Sequence, residues 1–298
     1  MSPVKNNVEI GEVGFMQGRL SPLVDGKIQA FPEEHWREEF AAGAALGFGF
    51  LEWTLDQAGL YENPLMSREG RGEIRQVCRR SKMTVPSVTL DCVMQAPFYK
   101  ATGKTHDNLL NDLATIVDAC GAAKIETMVV PLVDNGTITN TGESDALHSG
   151  LEAIRPLLER TGVRIAFECD QAPEELAGFI KRLPATIYGL TYDIGNSAAT
   201  GFDPDAEFAA YGNRVTHVHV KDRLPSGTTV PLGSGNADFG AVFQNLFDLG
   251  YSGRYVLQTA RADDDDHASV LADYRTQTLD WIANAARSTD DTVAEGNG

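Results

Sequence analysis

Short apolar runs alternate with longer amphipathic stretches along most of this chain of 298 residues. Short runs bounded by turn residues are typical of buried strands, and the longer stretches have helical periodicity. The predicted strands are VEIGEVGFMQ, GFGFLEWT, MTVPSVTLD, IETMVVPLVD, VRIAFECD, TIYGLTYDIGN, RVTHVHVKD and RYVLQTAR. A helical stretch follows each of them. Eight alternating strand–helix pairs predict an α/β fold, a single (β/α)8 TIM barrel with a parallel eight-stranded sheet.

The domain boundaries follow from the same pattern. We expect one barrel over residues 8–286, a flexible N-terminus over 1–7 and a disordered polar tail over 287–298. A doubly wound open sheet would favour a glycine-rich turn after the first strand, but GFMQGRLSP is not GxGxxG. The fourth helix is predicted to be capped by Ser144 and to end at Gly162.

Three polar residues stand at the ends of consecutive predicted strands. Glu168, Asp193 and His219 close strands five, six and seven, at spacings of 193 − 168 = 25 and 219 − 193 = 26 residues, about one strand–helix–strand repeat. In a parallel barrel the carboxyl ends of the strands form one face, which carries the functional groups. Carboxylate and imidazole groups are ligands for divalent metals. The spacing therefore predicts a shared metal or acid–base site.

Strand parity supports this prediction. His217, His219 and Lys221 share one face of strand seven, and Thr191 and Asp193 share one face of strand six. The apolar alternate residues suit the side that faces the helices, so we expect the polar set to point inward. The competing interpretations are a helix cap for a strand-end carboxylate and a hydrogen-bonded core residue for His217.

Composition and charge narrow the class of partner. Asp and Glu outnumber Lys and Arg by 42 to 25, for a net charge of −17, which argues against nucleic acid. We find no apolar run long enough for a membrane span and no secretion signal. The four scattered cysteines are expected to be reduced thiols of a cytoplasmic protein.

Cations nonetheless occur in the predicted strand-end loops, at Arg19, Lys221, Arg223 and Arg261. If they converge, they would favour an anionic sugar derivative such as a phosphosugar. The alternative is that they form ion pairs with Glu52, Asp91 and Asp222. The segment PLGSGNADF is either a phosphate-cradling loop or a tight turn before the seventh helix.

Several motifs, in order, resemble the xylose isomerase-like TIM barrels, which include sugar-phosphate isomerases and epimerases. They are MQGRLSP, LEWT, FEC, YDIGN, HVHVKDR, VPLGSGNADF and LQTAR. The resemblance implies one divalent ion, Mn²⁺ or else Mg²⁺ or Co²⁺, held by Glu168, Asp193, His219 and the strand-eight residue Gln258. It also implies a substrate contact at Asn196 and a homodimer.

Gln258 departs from the family pattern, in which a glutamate at this position is both ligand and acid–base group. An amide oxygen can bind a hard cation, but it cannot exchange a proton at neutral pH. The second base would then come from His217, Glu52, Asp91 or Lys221, or the reaction would need only one base.

The expected function is a metal-dependent sugar or sugar-phosphate isomerase or epimerase that acts through an enediolate. We predict catalytic roles for Glu168 as base, His217 and Lys221, and substrate contacts for Asn196, Arg19, Glu52, Arg223 and Arg261. The alternatives are a one-base lyase or dehydratase and a non-catalytic sugar-binding barrel. The acidic balance and the six histidines disfavour an endonuclease with three zinc ions.

Overall fold

Eight parallel strands close into a barrel in a computed structural model that describes residues 13–295. The barrel strands are β1 (Val13–Met16), β2 (Phe50–Thr54), β3 (Thr84–Thr89), β4 (Thr127–Leu132), β5 (Arg164–Cys169), β6 (Tyr188–Asp193), β7 (Val215–Val220) and β8 (Tyr255–Leu257). Each strand pairs with its sequence neighbours, and β1 pairs with β8 to close the sheet. The predicted TIM barrel is confirmed.

Helices surround the sheet and cover its outer apolar face. The described residues contain α1 (Trp36–Ala45), α2 (Arg68–Ser81), α3 (Asp91–Gln95), α4 (Gly103–Ala123), α5 (Thr141–Thr161), α6 (Pro173–Lys181), α7 (Ile194–Thr200), α8 (Pro204–Tyr211), α9 (Phe239–Asp248) and α10 (His267–Glu295). The short helices α3 and α7 were not predicted. Helix α3 begins two residues after the end of β3, and α7 begins directly after β6, with Asp193 as its cap.

Three apolar side chains form a separate cluster in the barrel interior. Met16, Phe50 and Val256 form a buried cluster separate from the core between sheet and helices. Gly14 permits this packing, since a Cβ there would lie 2.3 Å from the Phe50 ring. Because side chains alternate along a strand, Glu52 and Gln258 project to the same inner side as Phe50 and Val256.

Strand register brings the predicted site residues to one level. Asp193 on β6 pairs with His219 on β7, and Thr191 pairs with both Glu168 on β5 and His217 on β7. Paired positions of neighbouring strands point to the same face of a sheet. The common inward orientation predicted from parity is therefore confirmed.

The element ends differ from prediction in two places. Helix α5 begins at Thr141 with the Asn140 side chain as its cap, not Ser144, whereas its predicted end at Gly162 is confirmed. Helix α10 continues to Glu295, past the barrel end predicted at 286. The predicted flexible segment 1–7 lies outside the described residues.

Two further predictions, on membrane spans and on the cysteines, can be compared with the structure. No helix of the described chain is long and apolar enough to cross a membrane. All four cysteines are free thiols.

Candidate metal and substrate site

Three predicted ligands converge inside the barrel mouth. His219 Nδ1 lies 3.3 Å from Glu168 Oε2 and 3.8 Å from Asp193 Oδ2. One potential ligand atom from each of the three residues lies within 4.8 Å of the other two. All three side chains are buried, so their charges are poorly solvated unless a partner compensates them.

The other side of the His219 ring is fixed by Glu52. The Glu52 carboxylate places Oε1 2.9 Å from His219 Nε2 and Oε2 2.6 Å from His217 Nε2. His219 Nδ1, by contrast, has no partner with hydrogen-bond geometry among the described residues, although it is fully buried. The ring therefore directs one nitrogen to a carboxylate behind it and the other to the space between Glu168 and Asp193.

The charges of this cluster shift its titration strongly. Burial raises the pKa of Glu52, but the neighbouring His217 and His219 outweigh it, so this pKa is well below its usual range. Burial also raises the pKa of Asp193, and Lys221 and His219 together bring it well below normal. Burial lowers the pKa of His219, and Glu52, Asp193 and Glu168 raise it well above normal. The carboxylates of Glu52, Glu168 and Asp193 thus strongly favour a positive charge at the position of His219.

Asp193 serves both the fold and the site. Its Oδ1 accepts from the backbone N–H of Asn196 at 2.8 Å, which caps helix α7, and its Oδ2 faces His219 and Lys221. The helix-cap and ligand interpretations of this residue are therefore compatible, because they use different oxygens. The Asn196 side chain then donates from Nδ2 to Glu168 Oε1 at 2.6 Å.

Lys221 lies beside the fourth predicted ligand. Its ammonium Nζ is 3.3 Å from each of Asp193 Oδ2, Asn196 Oδ1 and Gln258 Oε1. The Gln258 amide nitrogen donates to Gln29 Oε1 at 2.9 Å. Gln258 thus accepts from a cation on one side and is held by an amide on the other.

The residues present fit a divalent ion. Two carboxylates and one imidazole nitrogen without a hydrogen bond form a donor set suited to Mn²⁺, Mg²⁺ or Zn²⁺. In the absence of an ion, the positive charge that compensates these carboxylates is the His219 imidazolium. A dication between Glu168 and Asp193 would supply that positive charge instead, so His219 could be neutral and offer the lone pair of Nδ1 to the ion.

A cavity of about 550 Å³ opens at this end of the barrel. Glu168, Asn196, Lys221, Arg223 and Gln258 are predicted site residues that line it. Other polar residues in its wall are Gln29, Asp91, Gln95, Asp134, Asp170, Thr200, Ser226 and Thr229. The wall is thus rich in hydrogen-bonding groups of the kind that a polyol needs.

His217 and Glu52 lie elsewhere than predicted. Both are buried, contact each other, and are not among the residues that line the cavity in the described structure. Their place is behind His219, where they can affect the site through that ring. The structure does not bring them to where a substrate would bind.

The four predicted cations separate into two pairs. Lys221 and Arg223 line the cavity, and Arg223 Nη1 donates to Asn196 Oδ1 at 2.8 Å.

Arg261 donates to the backbone carbonyls of Gly18 and Ser21. Arg19 Nε donates to the carbonyl of Thr259 at 2.9 Å and Nη1 to that of Ile28 at 2.9 Å. These two arginines join the loops after β1 and β8. Their guanidinium groups therefore stabilise these loops and are not directed at a substrate.

The glycine-rich loop binds its own carboxylate. Asp222 accepts from the backbone N–H groups of Gly233, Gly235 and Ala237 at 2.8–3.1 Å. The amides that a phosphate would need are thereby satisfied within the chain. PLGSGNADF is thus a loop folded around Asp222, which corrects the phosphate-cradle interpretation.

Sequence reasoning missed Gln29, which connects two cavity residues. Its Nε2 donates to Asp91 Oδ2 at 2.8 Å, and its Oε1 accepts from Gln258. Gln29 lies in the long loop between β1 and α1, where neither periodicity nor a motif marks it. Its contacts are 62 and 229 residues distant in sequence, so only the closed barrel reveals them.

Comparison with known proteins agrees with this architecture. The model of the xylose isomerase-like TIM barrel family matches residues 40–284. The chain therefore belongs to that family, as its motifs suggested.

Similar proteins include sugar epimerases. L-ribulose-5-phosphate 3-epimerase UlaE of Escherichia coli O139:H28 is 25% identical over 259 residues, which cover 84% of this chain and 89% of that protein. The D-psicose 3-epimerase of Clostridium cellulolyticum H10, solved with D-tagatose, has a TM-score of 0.69 at 14% identity, covering 92% and 99% of the two chains. The IOLI protein, solved with a zinc atom, has a TM-score of 0.70 at 15% identity, with coverage of 92% and 99%. The two structures show the shared fold, and the similarity to the UlaE epimerase supports the prediction of an isomerase-class enzyme.

Proposed function

We propose that this protein is a divalent-metal-dependent epimerase or isomerase of a ketose or ketose phosphate. The observation that carries the proposal is the convergence of Glu168, Asp193 and His219 beside a polar cavity, with His219 Nδ1 making no hydrogen bond within the described chain. The similarity to sugar epimerases supports the same reaction class and a small sugar as substrate. Mn²⁺ is the preferred ion in this proposal, and Mg²⁺, Co²⁺ and Zn²⁺ are the alternatives.

The ion would be held by Glu168, Asp193 and His219, with the Gln258 amide oxygen as a fourth donor. When bound, it would polarise the sugar carbonyl and acidify the adjacent C–H. Glu168 is the base that takes this proton in our proposal. Its Oε1 accepts from Asn196, which orients the carboxylate, while Oε2 faces His219. The substrate becomes an enediolate when the C–H electron pair moves toward the carbonyl oxygen.

Lys221 and Arg223 are the cations that a substrate would meet in the cavity wall. They can stabilise negative charge that develops on the sugar oxygens. Arg223 is held by Asn196 and by the carbonyl of Gly227, so its guanidinium group is positioned in advance. A phosphate of a ketose phosphate would bind on this side of the cavity.

A deuterium wash-in experiment tests the function directly. The full-length protein with Mn²⁺ is incubated in D₂O with L-ribulose 5-phosphate, D-psicose or D-tagatose. We expect deuterium to enter a carbon next to the carbonyl of at least one ketose, and Glu168→Gln to lower that rate at least 100-fold. Absence of exchange with all three ketoses would reject the proposal.

One observation favours a second candidate, elimination of water from a sugar or sugar acid. Gln258 cannot exchange a proton, and elimination needs only one strong base. A product that has lost one water in the same incubations would favour this lyase reaction over epimerisation.

A further inference from the structure

Inversion at a carbon requires that one group removes a proton and another group delivers a proton to the opposite face. If the function proposed above holds, Glu168 can act on one face only. Gln258 carries no exchangeable proton of suitable acidity. Epimerisation by this chain therefore requires another titratable side chain that can reach the cavity.

Three of the candidates are engaged elsewhere. Glu52 and His217 are paired with each other and absent from the cavity wall of the described structure. The Lys221 ammonium already donates to Asp193, Asn196 and Gln258. All three N–H groups of this ammonium therefore have acceptors within the protein.

Asp91 differs from all three. It is only 5% exposed, yet it lines the same cavity as Glu168 and Gln258. Its Oδ2 accepts from Gln29 at 2.8 Å and its Oδ1 from Thr89 Oγ1 at 3.5 Å. No Lys, Arg or His lies within ion-pair distance of it in the described part of the chain.

The surroundings of Asp91 favour a protonated carboxyl. Burial raises its pKa to about 7, against the hydrogen bond from Gln29, and the charges of Asp56, Glu168 and Glu52 act in the same direction as burial. A carboxyl that titrates near neutrality can both release and accept a proton at working pH. Asp193 and Glu52 have pKa values well below their usual range and lack this property.

The hydrogen bonds place Asp91 beside the fourth ligand position. Gln29 bridges Asp91 and Gln258 through its two amide atoms, at 2.8 and 2.9 Å. Asp91 follows β3 and Glu168 lies at the end of β5, so the two carboxyl groups come from different strands of the same rim. Gln29 therefore fixes a carboxyl next to the place where Gln258 offers an amide.

We propose that Asp91 is the second proton-transfer group of this enzyme, acting on the face of the sugar opposite to Glu168. The Glu168 carboxylate removes the proton of the C–H and becomes a carboxylic acid, while the C–H electron pair forms the enediolate. The Asp91 carboxylic acid then gives its proton to the opposite face of that carbon and becomes a carboxylate. The carbonyl is restored, and exchange of both carboxyl groups with water resets the site.

The test separates exchange from inversion. Wild type, Asp91→Asn and Asp91→Glu, each loaded with Mn²⁺, are incubated in D₂O with the ketose among L-ribulose 5-phosphate, D-psicose and D-tagatose that wild type exchanges fastest. For Asp91→Asn we expect wash-in within about threefold of wild type, because Glu168 still removes and returns the proton, and epimer formation at least 100-fold slower. Asp91→Glu, which keeps the carboxyl, should recover part of the epimer formation.

A matched aspartate on the surface is the control. Asp118→Asn on α4 removes a carboxylate that pairs with Arg160 on the surface, and it should leave both rates unchanged. An unchanged ratio of epimer to exchange in Asp91→Asn would overturn the proposal. So would loss of both rates in an Asp91→Asn protein that keeps its metal and its circular dichroism, or a wild-type enzyme that makes only an aldose, since one base suffices for that product. Absence of exchange by wild type rejects the proposed function and this inference with it.

Discussion

Glu52 Oε1 lies 2.9 Å from His219 Nε2, on the side of the imidazole opposite to Glu168 and Asp193. This contact joins β2 to β7 across the barrel interior, over 167 residues of sequence. When the ring is neutral, this contact favours the tautomer in which Nε2 carries the proton and Nδ1 the lone pair. Glu52, which was expected to contact the substrate, thus orients His219, a candidate metal ligand.

The first prediction concerns this orientation. Glu52→Gln should weaken Mn²⁺ binding by about 10-fold to 100-fold, since a neutral amide holds the ring less firmly and lowers the basicity of Nδ1. Isothermal titration calorimetry on the metal-free protein measures the change. Glu73→Gln is the control, because Glu73 pairs with Arg37 on the surface. Equal affinities for wild type and Glu52→Gln would contradict the assigned role.

Asp193 allows its two roles to be separated. Asp193→Ala should abolish metal retention after dialysis and also destabilise the metal-free protein, since both the cap of α7 and the charge beside His219 and Lys221 are lost. Asp193→Asn should also lose metal affinity, but it should be about 1 kcal/mol more stable than Asp193→Ala, because Asn caps helices as well as Asp does. Metal analysis and urea denaturation measure the two effects. Full metal content in Asp193→Ala would exclude Asp193 as a ligand.

Gln258→Glu should tighten Mn²⁺ binding without unfolding the protein. The new carboxylate adds negative charge at a position whose oxygen already lies 3.3 Å from the Lys221 ammonium. Competition with a fluorescent chelator gives the affinity, and Gln258→Met, which removes the oxygen, should bind the ion more weakly than wild type. If all three proteins bind Mn²⁺ alike, Gln258 lies outside the ligand set.

Lys221→Met should raise Mn²⁺ affinity about tenfold, or about 1.4 kcal/mol, while it lowers turnover. The ammonium lies 3.3 Å from Asp193 Oδ2, so it competes with a dication for the same carboxylate. Lys104→Met on the exposed face of α4 should change neither quantity. A weaker affinity in Lys221→Met would show that the ammonium supports the ion instead of competing with it.

Glu39 predicts a pH dependence of stability. Its buried carboxyl accepts from the backbone N–H groups of Gly18 and Leu20, and burial raises its pKa to about 7. Since the folded pKa exceeds the unfolded one, the folded state binds more protons between about pH 4.5 and 7, and the free energy of unfolding falls as pH rises through this window, by about 3 kcal/mol from this group. Urea denaturation at several pH values should show a smaller decline for Glu39→Gln. An identical decline in both proteins would assign it to other groups.

Much of the fold and part of the site could be predicted from local pattern. The alternation of strands and helices follows from hydrophobic periodicity, and the inward orientation of Asp193, His217 and His219 follows from the two-residue period of a strand. The helices α3 and α7 were missed because they are short and begin where strand patterns end. Ser144 was predicted to cap α5, but Asn140 caps it; both residue types are favoured at caps, so residue type alone does not identify the capping position.

The partners of individual side chains could not be predicted in the same way. Arg19 and Arg261 were expected at the substrate, but they donate to backbone carbonyls of the loops after β1 and β8. A guanidinium group has the same charge in either role, and only the position of an acceptor decides which it takes.

The sequence by itself determined a barrel of eight strands and the set of polar residues on its rim, because period and strand order depend on local interactions. The tertiary structure alone decided which of them meet. It placed Glu52 behind His219, folded the glycine-rich loop around Asp222 and linked Asp91 to Gln258 through Gln29. Barrel closure makes these contacts, since it brings together residues from distant strands that share no local signal.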